Sequence, residues 1–372
     1  MRVGIVTPWF PTEVNPSSGA FVLKDAHALI DAGIDLGVIH LVPSHEDDGT
    51  RKTLVQGVRT IRVPMDTANP LDFVKARYKL EPLIQHFDVI HTQAISAIEP
   101  FVFGRPKQPW VHTEHWSGIT NPQTLPETWQ KLLPALLKLE LLPDVVVSVC
   151  DYLASPLRDV RGDRPVEIIP CQVPSPKSLK PRRELDGTIR LISTGALVER
   201  KDPIVAVQTM AELKDRGIKA SLVWLGDGPL RDEVVALAEE LGVDATFPGT
   251  VDKEGVQAAL AEADMFFGPT RGDNFFVAAA ESIVNGRPLV VGSNGGQGEY
   301  IEVEIGRLID VQDPVLYADA IVDLYESTKD WTAERIAATV GTSFEPYTIA
   351  DSYIDLYQRL LDGKDGSRSW LG

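Results

Sequence analysis

The feature that most constrains this chain is a pattern that runs twice along it. Short β-branched and apolar runs occur at Val3–Thr7, Leu36–Leu41, Thr60–Val63, Val89–His91, Trp110–Thr113, Val145–Val149 and Glu167–Ile169, separated by amphipathic stretches such as Phe21–Ala32. Strands alternating with helices of this length imply a parallel sheet with crossover helices. The pattern lapses over 170–186, a Pro-rich, charged stretch that reads as an interdomain connection, and then restarts. Its second round predicts strands at Ile189–Ser193, Ala220–Leu225, Ala245–Pro248, Met265–Gly268 and Leu289–Gly292, and helices starting at Pro203, Pro229, Lys253 and Val277. After Asp313 the chain reads as helical, with Tyr353, Leu356, Tyr357 and Leu360 on one face of a last helix expected to pack back onto the first domain. The expectation is two doubly wound α/β domains, 1–170 joined by a C-terminal helix over 347–366, and 171–346, with 367–372 as a loose tail.

At 372 residues the chain exceeds what one core usually supports, which agrees with two domains. A net charge of −17 disfavours broad contact with phosphate backbones, so nucleic acid is not an expected partner, while a local basic face could still meet an anionic lipid. The two cysteines, Cys150 and Cys171, read as buried free thiols, and no Cys/His cluster has the short spacing of a zinc site, so no metal is expected. Val3–Thr7 is too short for a signal-peptide core. Pro134, Lys138, Glu140, Pro143 and Asp144 interrupt the longest apolar region, Leu132–Cys150, and rule it out as a membrane span. A cytoplasmic protein is expected, with peripheral contact at the inner face of a membrane left open. No short-period repeat is visible.

The most informative segment runs from Pro269 to Glu281, where Asp273 and Glu281 stand eight positions apart across the predicted start of a helix at Val277. Free amides and a carboxylate at a helix N-terminus form a site for polyhydroxyl groups or anions. Taken alone, the two acids could equally be a helix-start charge and a solvated face residue. The strand that follows, Leu289–Gly292, makes the segment a β-loop-α-β unit, whose ligands sit at the C-terminal strand ends. A second patch, Ser193 to Pro203, turns through Gly195 into the adjacent cations Arg200 and Lys201. Cations at a helix start oppose the helix dipole, which favours an anion nearby.

These residues resemble the retaining family 4 glycosyltransferases of GT-B fold, whose signature is two acids separated by seven residues and followed by a Gly-x-Pro-Val-Val-like strand. The resemblance covers essentially the whole chain. It implies two facing Rossmann-like domains with a cleft between them and a nucleoside diphosphate sugar, UDP- or GDP-linked, as co-substrate, with no other cofactor and no essential metal. Carried over, Glu281 holds the nucleotide ribose, and Asp273, with the amides of Asn274, Phe275 and Phe276, holds the hexose. Asp273 stands where the family usually has Glu, one methylene longer. Lys201 matches the donor-phosphate lysine. Ala196 occupies the place of the family's arginine, and Arg200 stands in for it. The loops at Gly226 and at Thr250-Val251 surround base and ribose, and Asn294–Glu299 resembles the family's Gly-Gly loop, although ordinary turns would also explain these glycines.

In the first domain the resemblance places Gly19 against the donor phosphates and His115 opposite the donor sugar, whereas His91 and His112 read as structural. Trp9, Phe10, Trp116 and Trp129 lie on expected cleft-side loops and could stack on an acceptor sugar, although buried packing is the commoner role of such aromatics, and Leu132–Leu141 reads as a core helix rather than a membrane-docking one. The implied reaction is transfer of a hexosyl unit with retention to an acceptor hydroxyl of a glycolipid, glycan or cell-envelope polysaccharide. The alternatives are a non-catalytic sugar-nucleotide-binding protein of the same fold, kept open by Asp273 and Ala196, and a sugar-nucleotide epimerase, for which no acid/base set is visible. A nicotinamide enzyme is weaker still, because no Gly-x-Gly-x-x-Gly turn follows the first strand.

Overall fold

Eight strands form the first sheet: β1 (Arg2–Thr7), β2 (Asp35–Val42), β3 (Lys52–Val55), β4 (Val58–Pro64), β5 (Val89–Gln93), β6 (Trp110–Glu114), β7 (Val145–Ser148) and β8 (Val166–Ile168), in the order β3-β4-β2-β1-β5-β6-β7-β8. The computed structural model describes residues 1–184 and 186–363. The part of the expected last helix beyond 363 and the expected tail at 367–372 lie outside the described residues. Every neighbouring pair in this sheet is parallel except β3 and β4. That edge hairpin escaped the sequence reading because β3 is short and polar. Its two-residue turn, Gln56-Gly57, has φ of 46° and 89°, the positive values that a tight hairpin requires.

Strand side chains alternate between two cores. Val3 and Ile5 of β1 join a cluster with Leu23, Val38 and Val111, while Val6 joins Ile39, Leu80 and Trp110 on the opposite face. The helices of this unit are α1 (Ala20–Asp31), α2 (Pro70–Ile84), α3 (Glu127–Leu136) and α4 (Asp151–Arg161). The unit ends at Gln172 and takes the chain back at Phe344.

The second unit, Val173–Ser343, holds β9 (Thr188–Thr194), β10 (Lys219–Leu225), β11 (Ala245–Gly249), β12 (Met265–Gly268), β13 (Leu289–Gly292) and β14 (Gly306–Ile309), all parallel, in the order β11-β10-β9-β12-β13-β14. The four-residue edge strand β14 carries Arg307 and has no apolar run to announce it. Its helices are α5 (Pro203–Asp215), α6 (Arg231–Leu241), α7 (Lys253–Glu262), α8 (Val277–Val284), α9 (Pro314–Ser327) and α10 (Ala333–Ala337). The helical run expected after Asp313 is therefore broken. Thr332 caps α10 by accepting the Arg335 N–H at 3.2 Å, and Pro346 starts a separate helix, α11 (Pro346–Leu361).

Helix α11 belongs to the first unit, where Tyr353, Leu356, Tyr357 and Leu360 are buried in the same core as α1. Polar contacts fix its register. The Tyr357 hydroxyl lies 2.7 Å from Nδ1 of buried His91, whose Nε2 is 2.7 Å from the Thr113 hydroxyl, and the Tyr353 hydroxyl is 3.1 Å from the same Thr113 oxygen. Beside these tyrosines lies the buried Asp25 of α1, which accepts hydrogen bonds from the Gln172 amide at 2.7 Å and the Gln93 amide at 3.4 Å. Of the cysteines, Cys150 is buried and caps α4, accepting the Leu153 N–H on its sulfur, whereas Cys171 is half-buried rather than buried as expected, because it lies in the connecting segment.

Burial pushes the Asp25 carboxyl up to about 7, against the pull of Gln172, Gln93 and Lys24. The native state therefore binds more protons than the unfolded chain between the ordinary carboxyl value of 3.8 and about 7, so this group's contribution to stability falls as pH rises through that window. Urea unfolding across pH 4.5–7.5 should show the wild-type chain losing stability relative to Asp25→Asn. Parallel curves would mean that Asp25 stays ionised in the fold.

Candidate active site

Strand order decides where the chemistry of the second unit gathers. From β9 the chain winds outward through β10 to β11, and β12, on the other side of β9, begins the opposite half. The loops leaving the C-terminal ends of β9 and β12 therefore meet at the switch point, where open α/β sheets bind ligands. The first loop carries Gly195, Arg200 and Lys201, and the second carries Asp273.

The structure brings the three charged residues together. Asp273 Oδ2 accepts from Lys201 Nζ at 2.6 Å and from Arg200 Nη1 at 2.8 Å, and its Oδ1 accepts the Phe276 N–H at 3.3 Å. Arg200 also donates to the Gly272 carbonyl at 2.8 Å, while its own carbonyl accepts the Arg271 N–H at 2.8 Å. Lys201 Nζ sits 3.9 Å from the centroid of the Phe276 ring, within cation–π range. Burial raises the Asp273 carboxyl, but Lys201 and Arg200 outweigh it and hold the group below its ordinary value. For Lys201 the balance reverses. Burial, aided by Arg200, outweighs the attraction of Asp273, and the ammonium lies below its usual range. Two cations and one carboxylate leave the trio net positive, which suits a further anion.

The backbone here departs from ordinary conformations. Asp202 and Phe276, the residues immediately before α5 and α8, are left-handed, with φ of 52° and 60°. A non-glycine residue in that region costs roughly 1–2 kcal/mol. Surrounding contacts hold both. Arg271 pairs with Asp202 at 2.8 Å, and the Tyr300 hydroxyl lies 2.8 and 2.9 Å from the Phe275 and Phe276 carbonyl oxygens. Asn274, Phe275 and Phe276 are buried, and of the three amides assigned to the hexose, that of Phe276 is engaged by Asp273. Glu281 is half-buried on the second turn of α8. The Asn294–Glu299 loop runs beside Asp273, whose N–H donates to the Asn294 carbonyl at 3.2 Å.

The loops after β10 and β11 share this edge of the sheet. The Gly195 N–H donates to the Leu225 carbonyl, and the Gly226 N–H donates to that of Gly249, each at 2.9 Å. At Gly226 φ is 148°, and a Cβ would lie 2.0 Å from the Gly195 oxygen, so only glycine fits. Thr250, exposed, and Val251, half-buried, follow β11 directly. Sequence reasoning did not single out Arg271, Thr270 or Tyr300, which hold these loops through contacts that depend on the fold. Thr270 lies with its hydroxyl 3.1 Å from both the Arg200 and Gly272 carbonyls.

In the first unit His115 follows β6 and packs its ring 4.4 Å from that of Phe21. Burial takes its imidazole down to about 4, with Glu114 opposing and His112 reinforcing the shift, so it is neutral at physiological pH. The buried Glu114 carboxylate accepts the N–H groups of His115 and Trp116, both at 2.6 Å, and fixes the start of this loop. Gly19, with φ of 60°, has Trp9 O 2.0 Å from where a Cβ would stand. Two expectations need correction. Trp129 lies on α3, not on a loop, whereas Phe10 stays on its loop and is fully buried, the packing role that is commoner for such aromatics. The expected core helix buries Leu133 but leaves Trp129 and Leu132, one turn apart, exposed at 44% and 53%.

Comparison with known proteins bears on both units. Residues 19–175 match the family model described as Glycosyltransferase Family 4, and 188–327 match that described as Glycosyl transferases group 1. Two Mycobacterium tuberculosis proteins are similar to this chain. The GDP-mannose-dependent alpha-(1-6)-phosphatidylinositol dimannoside mannosyltransferase is 34% identical over 123 residues, 33% of this chain and 32% of that protein. The corresponding monomannoside mannosyltransferase is 28% identical over 201 residues, 49% of this chain and 52% of that protein. The chain thus spans about a third to a half of the length of these curated relatives. Sucrose-phosphate synthase from Thermosynechococcus elongatus superposes with a TM-score of 0.79 at 20% identity, over 98% of this chain and all of that one. Anabaena HepE, solved with UDP and glucose, gives 0.72 at 15% identity, over 96% and 99%.

Replacing Asp273 by Asn would leave two cations facing a neutral amide. The loss in unfolding free energy should be about 2 kcal/mol, below the ~3–5 kcal/mol of a fully buried pair because these side chains stay partly exposed. Inorganic pyrophosphate should raise the melting temperature of Asp273→Asn more than that of the wild-type chain. Equal stability of the two proteins would show that the ion pairs do not hold the loops.

Proposed function

We propose, from the premise that the chain belongs to the family 4 glycosyltransferases of GT-B fold, that it transfers a hexosyl unit from a nucleoside diphosphate sugar to an acceptor hydroxyl with retention at the anomeric carbon. The observation that carries this reading is the meeting of Arg200, Lys201 and Asp273 at the switch point of the second sheet. In the reaction the bond between the anomeric carbon and the diphosphate oxygen breaks and its electrons leave with the diphosphate. Arg200 and Lys201 stabilise that charge, the role in which fixed donors lower barriers most. The acceptor oxygen bonds the anomeric carbon on the same face, and its proton passes to a donor phosphate oxygen. No divalent metal takes part.

Glu281 would hold the ribose hydroxyls, Asp273 and the loop before α8 the hexose, and the neutral His115 imidazole a donor-sugar hydroxyl. Gly19, Gly195, Gly226, Thr250 and Val251 would let backbone approach the phosphates and the base. The mannosyltransferase relatives are named for GDP-mannose and phosphatidylinositol mannosides, and HepE was solved with UDP and glucose, which supports a GDP- or UDP-linked hexose and a lipid-linked or glycan acceptor. Among the described residues no helix is long and apolar enough to cross a membrane. A cytoplasmic enzyme working at the inner membrane face in envelope glycan synthesis fits the exposed Trp129 and Leu132.

One observation favours a second reading. Both cations are engaged by Asp273, and Ala196 stands at the place of the family's arginine, as in a protein that binds sugar nucleotides without turning them over. Nucleoside diphosphate release, measured without added metal from UDP-, GDP- and ADP-hexoses with phosphatidylinositol mannoside and simple glycoside acceptors, separates the two. Turnover should occur with one donor, and Lys201→Ala and Glu281→Ala should each lower kcat/KM by roughly 100-fold or more. Binding of a diphosphate sugar with no release in any combination would support the binding protein instead.

A further inference from the structure

Three buried side chains in the first unit, His112, Glu114 and Glu140, bring one potential ligand atom each within 4.8 Å of the others. His112 and Glu114 are two apart on β6 and so share a face, and Glu140 comes from the single-turn helix Leu137–Leu141 that follows α3. All three are fully buried. His112 Nε2 is 3.5 Å from Glu114 Oε2 and 3.4 Å from Glu140 Oε1. Glu114 spends its other oxygen on the two backbone amides of the His115 loop. His112 Nε2, Glu114 Oε2 and both Glu140 oxygens make no hydrogen bond. The nearby buried guanidinium of Arg161 does not relieve them, because it donates to the backbone carbonyls of Glu140, Pro143, Asp144 and Pro165.

We propose that His112, Glu114 and Glu140 bind a divalent metal ion, zinc by its donor set. An imidazolium has one Nε2 proton, which two carboxylates could share only as a weaker three-centre bond, and charge-assisted N–H···O bonds close to about 2.7–2.9 Å rather than to the separations found here. A tetrahedral ion with bonds of about 2.0–2.1 Å places its ligand atoms roughly 3.4 Å apart, in line with both. Its charge of +2 matches two carboxylates and a neutral imidazole. The outer contacts also suit a ligand histidine. Nδ1 lies 2.9 Å from the Thr92 hydroxyl, which accepts the Trp110 indole N–H at 2.9 Å and lies 3.4 Å from the Val111 carbonyl, so an Nδ1–H can donate to it and leave Nε2 for the metal. A water would complete the coordination. Through Glu114 the ion anchors the amides that begin the His115 loop, which makes it a structural metal, and its binding does not depend on the transferase reading. The short Cys/His spacing that announces most zinc sites is missing because a strand and a distant turn supply the ligands.

The test is metal analysis of the full chain, purified without a polyhistidine tag, stripped with chelator and titrated with zinc alone. Uptake of about one zinc per chain is expected, with a rise in melting temperature that manganese reproduces less well. Glu140→Gln, close in shape to the native residue, should bind at least tenfold more weakly and show no thermal response. Glu114→Gln serves in its place if Glu140→Gln fails to fold. Stripped wild-type protein that takes up no zinc, or binds it as the variant does, would overturn the proposal, as would an NMR signature of His112 protonated on both nitrogens in the presence of excess zinc.

Discussion

The second unit depends on one carboxylate shared by two cations. Asp273 comes from the loop after β12, and Arg200 and Lys201 come from the loop after β9, so their ion pairs close the seam where the sheet changes direction. Without that closure, the partly buried Lys201 ammonium would lose the only carboxylate with which it forms an ion pair among the described residues. The same charges give the seam its chemistry. A net positive trio beside the start of α8 favours an anion, and an arriving diphosphate would compete with Asp273 for the two cations. The shorter Asp, in place of the family's usual Glu, acts here as counter-ion to those cations.

Backbone strain adds to this picture. Asp202 and Phe276 adopt left-handed conformations at the starts of the two helices that flank the seam, with Arg271 paired to Asp202 and the Tyr300 hydroxyl against the Phe276 carbonyl. Strain held by surrounding contacts is characteristic of sites that must present backbone groups in a fixed direction. In the first unit a corresponding role falls to buried polar groups. Glu114 fixes the loop that carries His115, and the contacts among His91, Thr113, Tyr353 and Tyr357 tie α11 to the sheet.

Much of this was legible in the sequence, for physical reasons. Strands such as Met265–Gly268 and Leu289–Gly292 are short apolar runs bounded by Gly, Pro or charge, and both appear over the expected residues. Two of the four edge strands were not legible, whereas β8 and β11 were. The polar hairpin strand Lys52–Val55 and the four-residue Gly306–Ile309 carry too little apolar signal, and the breaks between α9, α10 and α11 rest on one cap, Thr332, and one proline, Pro346, inside a helical composition. Within the site, the spacing of Asp273 and Glu281 and the adjacent cations drew attention to loops that the structure brings together. That Asp273 pairs with those cations could not be read, because adjacency of β9 and β12 is a property of strand order. Exposure of Trp129 and Leu132 on α3 was likewise hidden, since an apolar helix reads the same whether it is covered or not.

The most direct test of the account is calorimetric titration of GDP and UDP, each against its monophosphate, into the wild-type chain and into Lys201→Ala. If Arg200 and Lys201 hold the donor's diphosphate, one diphosphate will bind at least roughly tenfold more tightly than its monophosphate, as a charge-assisted contact requires. That preference will largely disappear in the variant while the monophosphate is little affected. Equal affinity for mono- and diphosphate, or a preference that survives the loss of Lys201, would contradict the assignment of the switch-point cations to the leaving group.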